Sequence, residues 1–139
     1  MDFGFFPHVT RSNTTSKLAK SLYKQKEVYY VTRSYTTRHG NGPFPGECEL
    51  KLVNNEKETN NDKGFQGAFR TAKLDPQMIN YALDCDNNFS HGLEKNLVIT
   101  CMDQYELDVE EFLSKVNTKF DKVYLSYGDS LTDVREFTI

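Results

Sequence analysis

Between residues 36 and 47 the chain reads TTRHGNGPFPGE, and three glycines and two prolines in twelve residues leave little room there for regular structure. Proline lacks the amide hydrogen that helices and ladders use, and glycine loses the most backbone entropy when fixed in either. The segment is expected to be a shaped loop. Upstream, residues 28–35 are β-branched and aromatic and read as a strand running into the loop. Downstream, residues 49–53 alternate like one strand of a hairpin, and residues 54–63 are polar enough to predict a mobile turn.

The rest of the chain is more regular. Residues 1–15 pass from an aromatic stretch to a hydroxyl-rich one, a strand-to-loop passage, and Ser16 caps a short helix over 17–24 with Leu18, Leu22 and Tyr23 on one face. Asp75 followed by Pro76 opens a helix to about residue 83. LVIT at 97–100 is a short apolar run of the kind found in strands buried on both faces. Asp108 and Glu111 form a capping-box-like start to a helix reaching about residue 117, and KVYLS at 122–126 is a last strand that turns at Tyr127-Gly128-Asp129. Strands alternating with helices predict an α/β fold, a mostly parallel sheet flanked by helices with a β-hairpin insertion, in one domain over 1–139. A folded chain of this size buries roughly 68–70% of the surface its unfolded form exposes.

Charge and cysteine usage narrow the partners. A net charge of −3 offers no field for nucleic acid or an anionic membrane, so an anionic ligand has to be held locally. Cys48, Cys85 and Cys101 are too widely spaced for a CxxC chelate or redox pair and read as reduced thiols. With no signal-peptide pattern and no run near the ~20 apolar residues of a membrane span, the expectation is a soluble, cytoplasmic protein.

The common catalytic patterns GxxxxGK, HExxH and GxSxG do not occur, and His8, His39 and His91 are too scattered to form a metal cluster. Three local features remain. Residues 10–15 (TRSNTT) can hold a phosphate through hydroxyls, backbone amides and Arg11, or simply cap the following helix. Arg33, Arg38 and Arg70 suit bidentate recognition of a carboxylate or phosphate beside glycines, or are solvated surface residues. Asp103 and the Gly128 turn follow two strands at what would be the carboxyl edge of a sheet, where open α/β sheets bind ligands; an aspartate there reads a guanine's donors or caps a loop. His39, beside Gly40, is a ligand contact or a loop histidine with one structural hydrogen bond.

The wording of these segments resembles one family. FGFFPHVTRSNTT (3–15) is similar to the adenylosuccinate synthetase segment FGTYPFVTSSNTT, and YVTRSYTTRHGNGPFPGE (30–47) to that family's V-KAYTTRVG-GPFPTE. Weaker echoes follow in the same order: GAFRTAKLD (67–75), VITCMD (98–103) for a T-K-x-D guanine motif, and SYGDSLTDVRE near the end. The departures are Arg11 for a serine, His39 for a valine, Gly46 for a threonine and Cys101 for the guanine-motif lysine, and of the family's arginine-rich stretch Arg70 alone is kept.

The resemblance implies a two-step ligation. GTP phosphorylates the 6-oxygen of IMP, with Mg²⁺ between the phosphates, and the amine of L-aspartate then displaces that phosphate. By position, Thr10 would approach the IMP phosphate, His39 and Gly40 its ribose, Arg70 the aspartate carboxylate, and Asp103 and Gly128 the guanine. None of these is the acid or the base. The family's GDEGKGK loop, with its aspartate base, and its catalytic histidine are absent from the 139 residues, so magnesium ligands and catalytic groups are expected outside this chain. The resemblance therefore implies a ligase part completed by a separate N-terminal half or a homo-oligomer and inactive alone. The alternatives are a non-catalytic purine-nucleotide-binding or regulatory module and a remnant whose exposed sheet edge mediates association. GTP against ATP as donor stays open.

Overall fold

The computed structural model describes residues 15–22, 24–53 and 67–138. Residues 1–14 of the expected passage over 1–15, and the polar turn at 54–63, lie outside them. The elements run α1 (Ser16–Leu22), β1 (Glu27–Arg33), β2 (Tyr35–His39), β3 (Phe69–Lys73), α2 (Pro76–Ser90), β4 (Glu94–Thr100), α3 (Val109–Ser114), β5 (Lys122–Ser126) and β6 (Val134–Phe137). One sheet has the order β1-β4-β5-β6, parallel in its first two pairings and antiparallel in the last; β2 and β3 form a separate antiparallel ribbon. The α/β architecture expected from the alternating pattern is present, with the ribbon as its hairpin.

One face of the sheet builds the core. Tyr30 of β1, Leu97 and Ile99 of β4, and Val123 and Leu125 of β5 pack with Ile79 and Leu83 of α2 and with Val109 and Phe112 of α3. Residues two apart on a strand share a face. Tyr29 and Val31, on the other face, are 48% and 61% exposed, so the helices cover a single side here. LVIT is accordingly not buried on both faces: Leu97 and Ile99 are buried, while Val98 and Thr100 are partly exposed.

Several boundaries differ from the sequence reading. The expected strand 28–35 ends at Arg33, and residues 36–39, expected in the loop, join Tyr35 in strand β2, because each faces a residue of β3 in register, Tyr35 opposite Lys73 through His39 opposite Phe69. β3 itself had no clear signal in GAFRTAK. Residues 49–53 form no strand; Leu50 donates its amide to the Thr71 hydroxyl and so steps out of a ladder.

Helix α2 starts as expected, with Asp75 accepting from the Gln77 amide at 2.9 Å, but continues past residue 83 to Ser90. Its buried stripe simply becomes polar. Asp86 accepts from the Tyr30 hydroxyl at 2.7 Å and from the Ser16 amide and hydroxyl at 2.7 and 3.0 Å, which ties α1 to α2 and β1. Burial, reinforced by that carboxylate, pushes the Tyr30 hydroxyl far above its ordinary pKa. Helix α3 stops at Ser114, before the expected 117, because Asn80 of α2 takes over the exposed backbone: it donates to the Lys115 carbonyl at 3.0 Å and accepts from the Asn117 amide at 2.8 Å.

Candidate functional site

The sequence-derived site residues fall into two groups. The first sits on the ribbon. Arg38 and Arg70 face each other across β2 and β3, an unfavourable pairing of like charges unless each finds a partner. Arg38 donates to the Asn41 carbonyl at 3.3 Å. Arg70 donates from Nη1 to the carbonyls of Gly40 and Gly42 at 2.7 and 3.1 Å, and from Nε and Nη2 to both oxygens of Glu47 at 2.7 and 2.5 Å. Its guanidinium also lies 5.5 Å from the centroid of the Phe44 ring. One arginine thus holds the start, middle and end of the glycine- and proline-rich loop. The paired charges hold Glu47 below, and Arg70 above, their ordinary pKa values, chiefly through those hydrogen bonds.

Close backbone approach completes this end of the ribbon. The Gly40 amide donates to the Ala68 carbonyl at 3.1 Å, and a Cβ on Gly67 would come within 2.8 Å of the Gly40 Cα. Such an approach is available only to glycine. His39 packs on Phe69 with ring centroids 5.3 Å apart, and its Nδ1 is buried with no hydrogen-bond partner among the described residues. The ribose contacts expected of His39 and Gly40 and the carboxylate contact expected of Arg70 therefore share one small region. Thr10 and Arg11 lie outside the described residues. Arg33, at the end of β1, lies 6.0 Å from the Tyr35 ring and belongs to neither group.

The second group lies at the carboxyl edge of the sheet. After β4 the chain turns at Cys101, the non-glycine described residue with positive φ (61°), whose carbonyl accepts from the amides of Gln104 and Tyr105. A cavity of about 610 Å³ opens beside this turn, with Leu125, Leu107 and Phe137 among its apolar lining and Asp103, Glu106, Asp108 and Glu110 among its polar residues. Among the described residues, no lysine, arginine or histidine lines it. Asp103 Oδ2 accepts from Gln104 Nε2 at 2.6 Å, while Asp108 is occupied capping α3 through the Glu111 amide. Tyr127 lines the cavity and Gly128 follows it, in a turn where Ser126 Oγ donates to the Gly128 carbonyl at 3.0 Å. A Cβ on Gly128 would run into the Asp133 carboxylate, which accepts from the Ser130 amide at 3.1 Å.

The two groups meet through the base of the ribbon. The Ser34 amide donates to the Thr100 carbonyl and its hydroxyl to the Cys101 carbonyl, both at 2.8 Å, and Tyr35 packs edge-on against Tyr105. Val53, a cavity-lining residue, donates its amide to the Gln104 carbonyl at 3.1 Å. Arg70 is opposite Arg38, three residues beyond Tyr35 and so roughly 10 Å further out at ~3.3 Å per residue. Glu47, Tyr105 and Asp133 are the site residues that sequence reasoning missed. Glu47 and Tyr105 meet Arg70 and Tyr35, neighbours distant in sequence that no local spacing marks, whereas Asp133 closes a capping box with Ser130 that its three-residue spacing could have flagged.

Comparison with known proteins gives this geometry its context. The adenylosuccinate synthetase family model matches residues 1–125, which takes in both groups except the Gly128 turn and β6. The adenylosuccinate synthetase of Francisella tularensis subsp. novicida is 32% identical over 114 residues, 74% of this chain and 26% of that protein. That of Thermoplasma volcanium is 33% identical over 93 residues, 62% of this chain and 21% of its own length, and that of Flavobacterium psychrophilum is 50% identical over 52 residues, 34% and 12%. The matched stretch thus spans about a quarter or less of these relatives. With most of its length matched, and its glycine-rich ribbon and Asp103 edge falling inside the match, the chain belongs to the adenylosuccinate synthetase family.

Proposed function

We propose that this chain carries the base- and carboxylate-binding part of a GTP-dependent ligation of L-aspartate to IMP. The observation that carries the reading is the cavity at the carboxyl edge of the sheet, with Asp103 on its rim, in a chain of this family. An apolar floor accepts a flat base, and a carboxylate on the rim accepts from guanine N1–H and the exocyclic amine, donors that adenine does not present together. Four carboxylates, with no cation among the described lining residues, repel phosphate, so the base enters and the phosphates point out of the cavity. Gly128 keeps the edge of the turn free of a side chain beside the base.

On the ribbon, His39 and Gly40 meet the IMP ribose and Arg70 a carboxylate of aspartate, while Thr10 contributes to the IMP phosphate. These groups bind and orient. Phosphoryl transfer depends mainly on positioning and electrostatic stabilisation, with Mg²⁺ between the phosphates neutralising developing charge. From the family resemblance, the magnesium ligands and the catalytic base are expected in protein other than these residues. A cytoplasmic enzyme fits this role; no helix among the described residues is long and apolar enough to cross a membrane.

Competitive binding of GDP and ADP to the wild type and to Asp103→Asn tests the reading. The wild type should prefer GDP, and the substitution should erase most of that preference, because the amide presents one acceptor and a mismatched donor. Equal binding of the two nucleotides by the wild type, no saturable binding of either, or a preference untouched by the substitution would sink it.

A further inference from the structure

Arg70 carries five N–H donors in a rigid fork, and the structure shows how they are divided. Nη1 is spent on two backbone carbonyls, Gly40 and Gly42. The Nε–Nη2 edge, the one that recognises a carboxylate with two parallel bonds, is filled by Glu47. The Glu47 side chain is 44% exposed and the Arg70 side chain 19%. The carboxylate can therefore swing into water while the carbonyls and the Phe44 ring keep the guanidinium in place.

We propose that Glu47 is a built-in occupant of the carboxylate subsite: it fills the Arg70 fork when no substrate is present, and a carboxylate of the incoming dicarboxylic acid takes its place. The proposal rests on the functional reading above for the identity of the substrate. The geometry of the exchange is internal to the ribbon. One carboxylate replaces another on the same two N–H groups, so no charge is left unpaired at the fork. Glu47 acts as a specificity device, since a ligand that offers a single acceptor has to displace a bidentate partner. The loop responds to the exchange too, because Glu47 anchors its far end through the Glu47–Ala72 bridge and the Glu47 amide bond to the Phe44 carbonyl.

The test follows the side-chain Nε–H resonance of Arg70 by ¹⁵N NMR in the 139-residue chain, assigned by its loss in Arg70→Lys. The probes are L-aspartate and L-asparagine. L-Aspartate should shift the resonance in the wild type, and Glu47→Gln and Glu47→Ala should lower its half-saturation roughly tenfold, as removal of an intramolecular competitor that fills the fork about nine-tenths of the time does. L-Asparagine, which offers the fork one carboxylate where L-aspartate offers two, should act more weakly in every case. A resonance that no probe moves, equal half-saturation in wild type and both variants, or tighter binding by the wild type would overturn the proposal, the last by showing that Glu47 supports the fork. GDP binding, measured on the same samples, separates this failure from that of the broader reading. Exchange without GDP binding would leave the fork and remove the ligase, whereas GDP binding without exchange would remove Glu47's role alone.

Discussion

The four-stranded sheet and the two-stranded ribbon are held together by different physics. In the sheet, Leu97 and Ile99 are 2% and 0% exposed between two helices, and the site is a cavity left at the edge of a packed core. In the ribbon, the site loop is shaped by one arginine, one glutamate and a few carbonyls, nearly all of them in reach of water. Apolar burial is spread over many contacts and tolerates changes of pH and salt, whereas a charged clamp is local and responds to both. The cavity edge thus belongs to the apolar-packed part of the molecule, and the Arg70–Glu47 clamp to the charged, adjustable part.

The largest expected effect sharpens this contrast. Ile99→Ala should lower unfolding free energy by about 2–5 kcal/mol, measured by urea titration. Arg70→Ala should leave the urea midpoint close to that of the wild type while the amides of Gly40 and Cys48, which bond to Ala68 and Thr71, lose their protection from hydrogen exchange. A large loss of global stability in Arg70→Ala would break the comparison and make ribbon and sheet one cooperative unit.

A smaller effect is expected at Gly46, which has φ of 71° and open space around its Cβ position. Replacing it with threonine, the residue in the resembling family stretch, meets no neighbour and still strains the backbone, by about 1–2 kcal/mol for a left-handed conformation. The cost should appear as faster exchange of the Cys48 amide with the sheet amides unchanged. No change at Cys48 would mean that the loop relaxes freely around position 46.

The smallest effect is the response to acid. Arg70 lowers the pKa of Glu47, so the unfolded loop binds the proton more readily than the folded one. The clamp's contribution is fully present above the ordinary glutamate value of about 4.3 and is lost as pH falls through the lower folded value. The Gly40 and Gly42 resonances should move in that acid range in the wild type and stay fixed in Glu47→Gln. Identical movement in both proteins would assign the transition to another group.

The sequence by itself determined the class of fold, the strand 122–126, the start of α2 at Asp75-Pro76 and the start of α3 at Asp108, because capping and apolar patterning act within a few residues. Its unusual wording around residues 30–47 was also enough to mark the family. The tertiary structure decided where those elements end and what the polar residues do. Helix α2 runs on to Ser90 because Asp86 finds Tyr30 and Ser16, which lie 56 and 70 residues away, and α3 stops where Asn80 replaces its next turn. Residues 35–39 form a strand because β3, thirty residues further on, offers the matching edge. Arg70 likewise stood out in the sequence as an isolated arginine, but its engagement with Glu47 depends on a loop that brings residues 23 apart within hydrogen-bonding distance. Local chemistry is written in neighbouring residues; the partner that satisfies a buried or charged group is chosen only when the chain closes on itself.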